Sequence, residues 1–221
     1  MREIWMIRSK FENQLQELTK NVIFMGALCE DVISKSVQFL KTDDSYLVNN
    51  VIKTYQKIEQ LERDIEEQCL KLLLRQQPVA KDLRRVSAVL KMVYDMKRIG
   101  AQAAEIGEII NQGHIQPGRE LDHLQSMVSH VVEMVTISID AFVHDDESLA
   151  NQVIQNDNTV DQEFDTIKMD LMTYFSGSDV DGEHAIDVLM VAKYIERIGD
   201  HTVNIAKWII FSITGQLEGD D

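Results

Sequence analysis

The chain has 221 residues, a formal net charge of −15 and an apolar set dominated by Leu, Ile, Val, Ala and Met, with aromatic residues at only 6%. That charge argues against a nucleic-acid backbone or an anionic membrane surface as the main ligand, and favours basic protein partners, cations or simple solubility. Two prolines and ten glycines interrupt the chain so rarely that long helices are expected, and the composition points to an all-α protein.

Taken in chain order, breaks fall at KTDDS (41–45), RQQP (75–78), QGHIQPG (112–118), HDDES (144–148) and SGSDVDGE (176–183). Between them apolar residues recur at helical spacing, which predicts six long helices, with Pro78 and Pro117 at helix starts where proline is tolerated. The six are a three-helix unit used twice. FLKTDDSYLVNNVI (39–52) aligns with AFVHDDESLANQVI (141–154) at an offset of 102, and VLKMVYDMKRIGAQAAEI (89–106) with VLMVAKYIERIGDHTVNI (188–205) at an offset of 99. The repeat is too long and too few in number for a solenoid. The fold expected is therefore two tandem three-helix bundles, residues 1–114 and 115–215, followed by an acidic tail, 216–221. No signal-peptide core is recognised, and no apolar run is expected to approach the roughly 18 residues of a membrane span. Cys29 and Cys69 form no CxxC pair and no metal-ligand spacing, and read as buried, reduced thiols of a cytosolic protein.

The last helix illustrates how each bundle is held. Val188, Val191, Ile195, Ile198, Thr202, Ile205 and Ile209 step by three and four, a seam that buries against two neighbours. Leu189, Ala192, Gly199, Val203, Ala206 and Ile210 make a second stripe beside it. A mid-helix glycine costs about 1 kcal/mol against alanine; at Gly199 and its repeat mate Gly100 the missing side chain is expected to let a neighbouring backbone come close. Glu196 and Asp200 fall on the opposite, polar side. As like charges one turn apart they repel by roughly 0.2–0.5 kcal/mol.

Spacing alone does not distinguish that pair. The chain holds six carboxylate pairs at i,i+4, namely 62/66, 157/161, 161/165, 179/183, 183/187 and 196/200, as many as its acid content produces by chance. Position is more informative. Asp157 and Asp161 lie on the middle helix of the second bundle, whose seam reads Val153, Val160, Phe164, Ile167, Leu171, and Asp157 occupies a seam position where an acid is costly unless compensated. Its mate in the first bundle is Tyr55. Two acidic pairs on adjacent helices, each with side chains about 5–6 Å apart, suit a hard or borderline cation, or more than one. The rival reading is an acidic groove for a basic partner. ELDH (120–123) is a lone ExxH at a helix start, and a di-iron bundle needs two such motifs plus two further glutamates. His201 reads as a surface histidine. A metal-dependent hydrolase built on the same carboxylates is a competing function, but it lacks an evident general base or nucleophile nearby.

Three stretches carry a resemblance beyond spacing: RQQPVAKDLR (75–84), DNTVDQEFDTIKMDLMTYF (157–175) and YIERIGDHTVNI (194–205). Together with the repeat, they make the whole chain resemble the PhoU family of cytoplasmic regulators of bacterial phosphate uptake. The resemblance implies two similar three-helix bundles and a non-enzymatic role. It also implies an E(D)xxxD pair on adjacent helices of each bundle, binding iron or zinc. The family's role implies a restraint on the phosphate-specific ABC transporter and a link from it to a membrane sensor histidine kinase. A PhoU-like adaptor for another anion transporter is the nearest alternative. In this sequence the motif matches at Asp157/Asp161 and Glu196/Asp200. In the first bundle Lys97, Ala101 and Tyr55 replace three of the four acids and only Glu59 is left, so a transition-metal site is expected in the second bundle alone. Lys97 is expected to form a partly exposed ion pair with Glu59. The partners implied are the cytoplasmic faces of the transporter and kinase and a second copy of the chain in a homodimer, with neither nucleic acid nor direct membrane insertion.

Overall fold

The computed structural model describes residues 2–42, 45–76, 80–115, 118–177 and 180–216. Six α-helices make up nearly all of them: α1 Arg2–Thr42, α2 Ser45–Gln76, α3 Ala80–Ile110, α4 Arg119–His144, α5 Glu147–Tyr174 and α6 Gly182–Thr214. No strand occurs among the described residues. Pro78, Pro117 and the tail beyond Gln216 lie outside them.

Local chemistry sets several of the boundaries. Asp146 caps α5 by accepting from the backbone N–H of Ser148 (2.8 Å) and Leu149 (3.1 Å), and Asp181 caps α6 through Glu183 (3.0 Å) and His184 (3.2 Å). α6 ends on Gly215 in the left-handed conformation, φ 82°. α4 ends on Asp145, also left-handed at φ 50°, which a side chain rarely adopts. Ion pairs from Asp145 to Arg85 and to Lys81 (3.3 Å) hold it there, and they tie the α4–α5 turn to the first turns of α3.

Helices α1, α2 and α3 pack on one another, as do α4, α5 and α6, and the two bundles meet like against like, α1 on α4 and α3 on α6. Both cross-pairs are antiparallel. Gly26 lies against Ile139 while Glu30 accepts from Thr136 (2.9 Å). Along the other seam Arg84 lies beside Gly215, the Lys91 ammonium sits 5.8 Å from the Trp208 ring centre, and Asp95 meets Asn204 (3.5 Å). This is the pairing of a pseudo-twofold axis perpendicular to the helices. The predicted seam of α6 is buried throughout, from Val188 to Ile209, and both cysteines are buried and free. Leu189 of the second stripe is instead exposed.

One expectation is corrected by α4. Its stretch Glu120–His144 is long and apolar enough to cross a membrane by length and composition, with mean hydropathy 1.4. Its apolar side packs against α1, α5 and α6, where Leu124, Met127, Val131, Met134, Val135 and Phe142 lie in the core.

The α1–α4 approach rests on Gly26, where a Cβ would stand 2.6 Å from Ile139 Cγ1. Overpacking of this kind costs about 1–3 kcal/mol, partly offset by the roughly 1 kcal/mol that alanine gains in helix propensity. Gly26→Ala should therefore lower stability by about 1 kcal/mol in urea unfolding, and the loss should shrink in an Ile139→Ala background. Additive losses would mean the two side chains do not meet.

Candidate metal centre

Asp157 and Asp161 stand one turn apart on α5, and Glu196 and Asp200 one turn apart on α6, the helix beside it. The structure brings all four into one electrostatic group. The Asp157 carboxyl is pushed up to about 6, first by burial and then by Asp161, Asp200 and Glu196. Asp200 is raised as well, first by burial and then by Glu196, with Lys193 acting in the opposite direction. Asp157 and Glu196 are half-buried, whereas Asp161 and Asp200 are exposed.

Gly199 turns out to accommodate a side chain and not a backbone. A Cβ there would lie 2.6 Å from Asp157 Oδ1, so the glycine is a cradle for that carboxylate. At the repeat mate, Gly100, a Cβ would meet Tyr55 and Ile58, each at 3.1 Å. The same notch between helices thus takes an acid in one bundle and an aromatic ring in the other.

A cation is already drawn to the cluster. Lys193 Nζ donates to both oxygens of Glu196 at 2.6 Å, and it lies 5.3 Å from the centre of the Phe164 ring. As the side chains lie, no three His, Cys, Asp or Glu among the described residues close on a point that would hold a metal ion. In kind the donors fit one: four carboxylates on two neighbouring helices, one aimed across the partner helix by its glycine cradle, all repelling one another until a cation relieves them. Asp157, Asp161, Glu196 and Asp200 would hold it, with Lys193 releasing Glu196.

The first bundle departs further than expected. Lys97 pairs with Glu62 and not with Glu59, which accepts instead from the Tyr55 hydroxyl (3.1 Å). The register between α2 and α3 explains this, since Gly100 stands level with Ile58 and Lys97 is therefore one turn nearer Glu62. The Glu62 side chain is 5% exposed and that of Lys97 27%, so the pair is partly exposed as expected, with the carboxylate its buried member.

His201, read as a surface histidine, is partly buried, with its side chain 20% exposed. Its Nδ1 lies 2.9 Å from Asp95 Oδ1 on α3, joining the bundles. His123 of the lone ExxH lies 3.6 Å from Asp170. Sequence reasoning passed over Lys193 and Asp95. Lys193 was findable, three residues before Glu196 on the same helix face; Asp95 was not, because its partner is on another bundle.

The fold and the cluster together define an all-helical tandem-repeat protein carrying a carboxylate centre in its second bundle. Family comparison agrees with that class. The PhoU domain model matches residues 22–110 and 124–209, and the chain belongs to the PhoU domain family. It is 33% identical over 214 residues to the phosphate-specific transport system accessory protein PhoU homolog of Pseudomonas aeruginosa, covering 95% of this chain and 87% of that protein. The PhoU accessory protein of Escherichia coli strain K12 is 32% identical, at 95% and 88% coverage. The crystal structure of PhoU from Pseudomonas aeruginosa superposes with a TM-score of 0.88 at 33% identity, over 93% of this chain and all (100%) of the other. The phosphate transport system regulatory protein PhoU from Streptococcus pneumoniae, at 23% identity, shares the fold with a TM-score of 0.86, over 94% and 98% of the two chains.

The raised Asp157 carboxyl has a consequence for stability in protein freed of metal. An unfolded aspartate titrates near about 3.9. Because the folded value is higher, the stability this group contributes is complete below about pH 4 and is lost as the pH rises through about 6. Asp157→Asn should flatten the decline over that interval in urea titrations of chelator-treated protein. An unchanged slope would remove the account of Asp157 as a buried, repelled acid.

Proposed function

We propose that the chain is a non-enzymatic accessory of a phosphate-specific ABC transporter. It docks on the cytoplasmic faces of that transporter and of a sensor histidine kinase, restrains uptake and keeps phosphate-starvation genes repressed. The observation that carries this reading is the relationship along the whole chain to proteins named as accessories of the phosphate-specific transport system. Surface chemistry supports it. A molecule of net charge −15 is steered toward basic surfaces, and cytoplasmic loops of membrane proteins are rich in Lys and Arg.

The docking face we favour is the α5–α6 surface. Along α6 one stripe runs from Asp200 through Glu196 and Lys193 to the exposed Leu189 and Ile186, and beside it α5 exposes Met172. Acids at one end and apolar side chains at the other suit a partner segment that is basic at one end and apolar at the other, and exposed charges make such an encounter weaken as salt rises. A second copy of the chain is the alternative occupant. In this proposal iron or zinc binds at Asp157, Asp161, Glu196 and Asp200 alone, changing the charge of that face.

Protein purified without chelator should carry transition metal by elemental analysis. Asp161→Ala combined with Asp200→Ala should lose it and Glu59→Ala should keep it. Equal loss from the Glu59 change would overturn the single-site assignment. In the cell, deletion of the coding sequence should release phosphate-starvation genes from repression in phosphate-rich medium. Unchanged uptake together with unchanged expression would overturn the regulatory reading and leave the fold standing.

A further inference from the structure

The antiparallel register of α3 and α6, set by Arg84 beside Gly215, Lys91 beside Trp208 and Asp95 beside Asn204, brings Arg98 level with His201 and Gln102 level with Arg197. In the internal repeat Arg98 is the mate of Arg197, and Gln102 the mate of His201. The pseudo-twofold axis therefore gathers two copies of one arrangement, a guanidinium beside an amide or imidazole, around a single cleft of about 500 Å³ that all four residues line. Asn204 and Lys207 line it too, and Asp200 contributes its one carboxylate.

Two features of this cleft are unexplained by folding. Gln102 is 4% exposed, yet its carboxamide oxygen has no hydrogen-bond partner, an arrangement that costs free energy. The NH2 of the same carboxamide forms no hydrogen bond among the described residues either, and it is the accessible end. Second, the chain has 37 acidic side chains against 22 lysines and arginines, and neither Arg98 nor Arg197 forms an ion pair among the described residues. Arg197 lies 5.8 Å from the Tyr194 ring centre, and Arg98 acts electrostatically on Tyr55. Asp95 is taken up by His201 and Asn204, which it holds in place.

We propose that this cleft binds a phosphate group, as the free ion or a monoester, between Arg98 and Arg197 with Gln102 at its floor. Guanidinium forks pair bidentately with such oxyanions, and donors arriving from two helices match a tetrahedral acceptor better than a single carboxylate. The site borders the carboxylate centre at Asp200 but is built on other residues, and the proposal stands independently of the docking reading.

The test titrates the chelator-treated full chain, so that no metal-held phosphate is counted, with inorganic phosphate in one arm and adenosine monophosphate in the other. Binding is read by ³¹P NMR line broadening and by calorimetry. Saturable binding is expected, weakened roughly ten-fold by Arg98→Ala and by Arg197→Ala, as for loss of a charge-assisted pair. Gln102→Leu should weaken it by a smaller factor, and Asp161→Ala, which removes a neighbouring negative charge, should not weaken it. Preference for one arm assigns the source of the group. Three results would overturn the site: no saturation with either probe up to about 10 mM, binding that survives the double arginine change, or equal loss from Asp161→Ala. The two arginines are exposed, so their replacement leaves the fold intact, as circular dichroism would check.

Discussion

The contact around which the acidic site of the second bundle is arranged is the carboxylate of Asp157 lying over the α6 backbone at Gly199. An acid at a core seam position would ordinarily be expelled or neutralised, because burial of an unpaired charge is so costly. Here the missing side chain opens a notch into which the carboxylate leans, and the position is only half-buried as a result. Once Asp157 is held there, the fields of Asp161, Glu196 and Asp200 all act on it, and a lysine is recruited to Glu196. The first bundle keeps the glycine and fills the notch with Tyr55, so that the geometry of the repeat survives while its chemistry does not.

The parts of this architecture that could be read from the residues are those governed by one helix at a time. The stepping of Val188 through Ile209, the break HDDES before α5, and the two offsets of the repeat all express local periodicity or local turn chemistry, and the structure follows them. The candidate acids were legible for a related reason, since an acid on an apolar seam is visible as a break in a pattern.

What escaped the sequence depends on how two helices are set against each other. Lys97 finds Glu62 instead of Glu59 because Gly100 stands level with Tyr55 and Ile58, as Gly199 does with Asp157 and Val160, and that setting of α3 against α2 leaves Lys97 beside Glu62. His201 meets Asp95 because like helices of the two halves pack antiparallel, a relation that no single helix encodes.

α6 serves both surfaces. Glu196 and Asp200 point toward α5, while Arg197 and His201, one residue further along, are turned by about 100° toward α3. A single stretch of six residues thus carries acids on one stripe and donors of positive charge on the next. The two stripes are separated by no more than the roughly 10 Å width of a helix. At that distance unit charges interact by about 1–2 kcal/mol for an effective dielectric constant near 20. With the acids bare, their field opposes an anion in the α3–α6 cleft; with a cation held among them, that opposition is relieved. Asp200 lines the cleft and belongs to the acidic group as well, so the two surfaces cannot be electrostatically independent. The consequence is thermodynamic and reciprocal: whatever a cation on the α5 side does for an oxyanion on the α3 side, the oxyanion does for the cation.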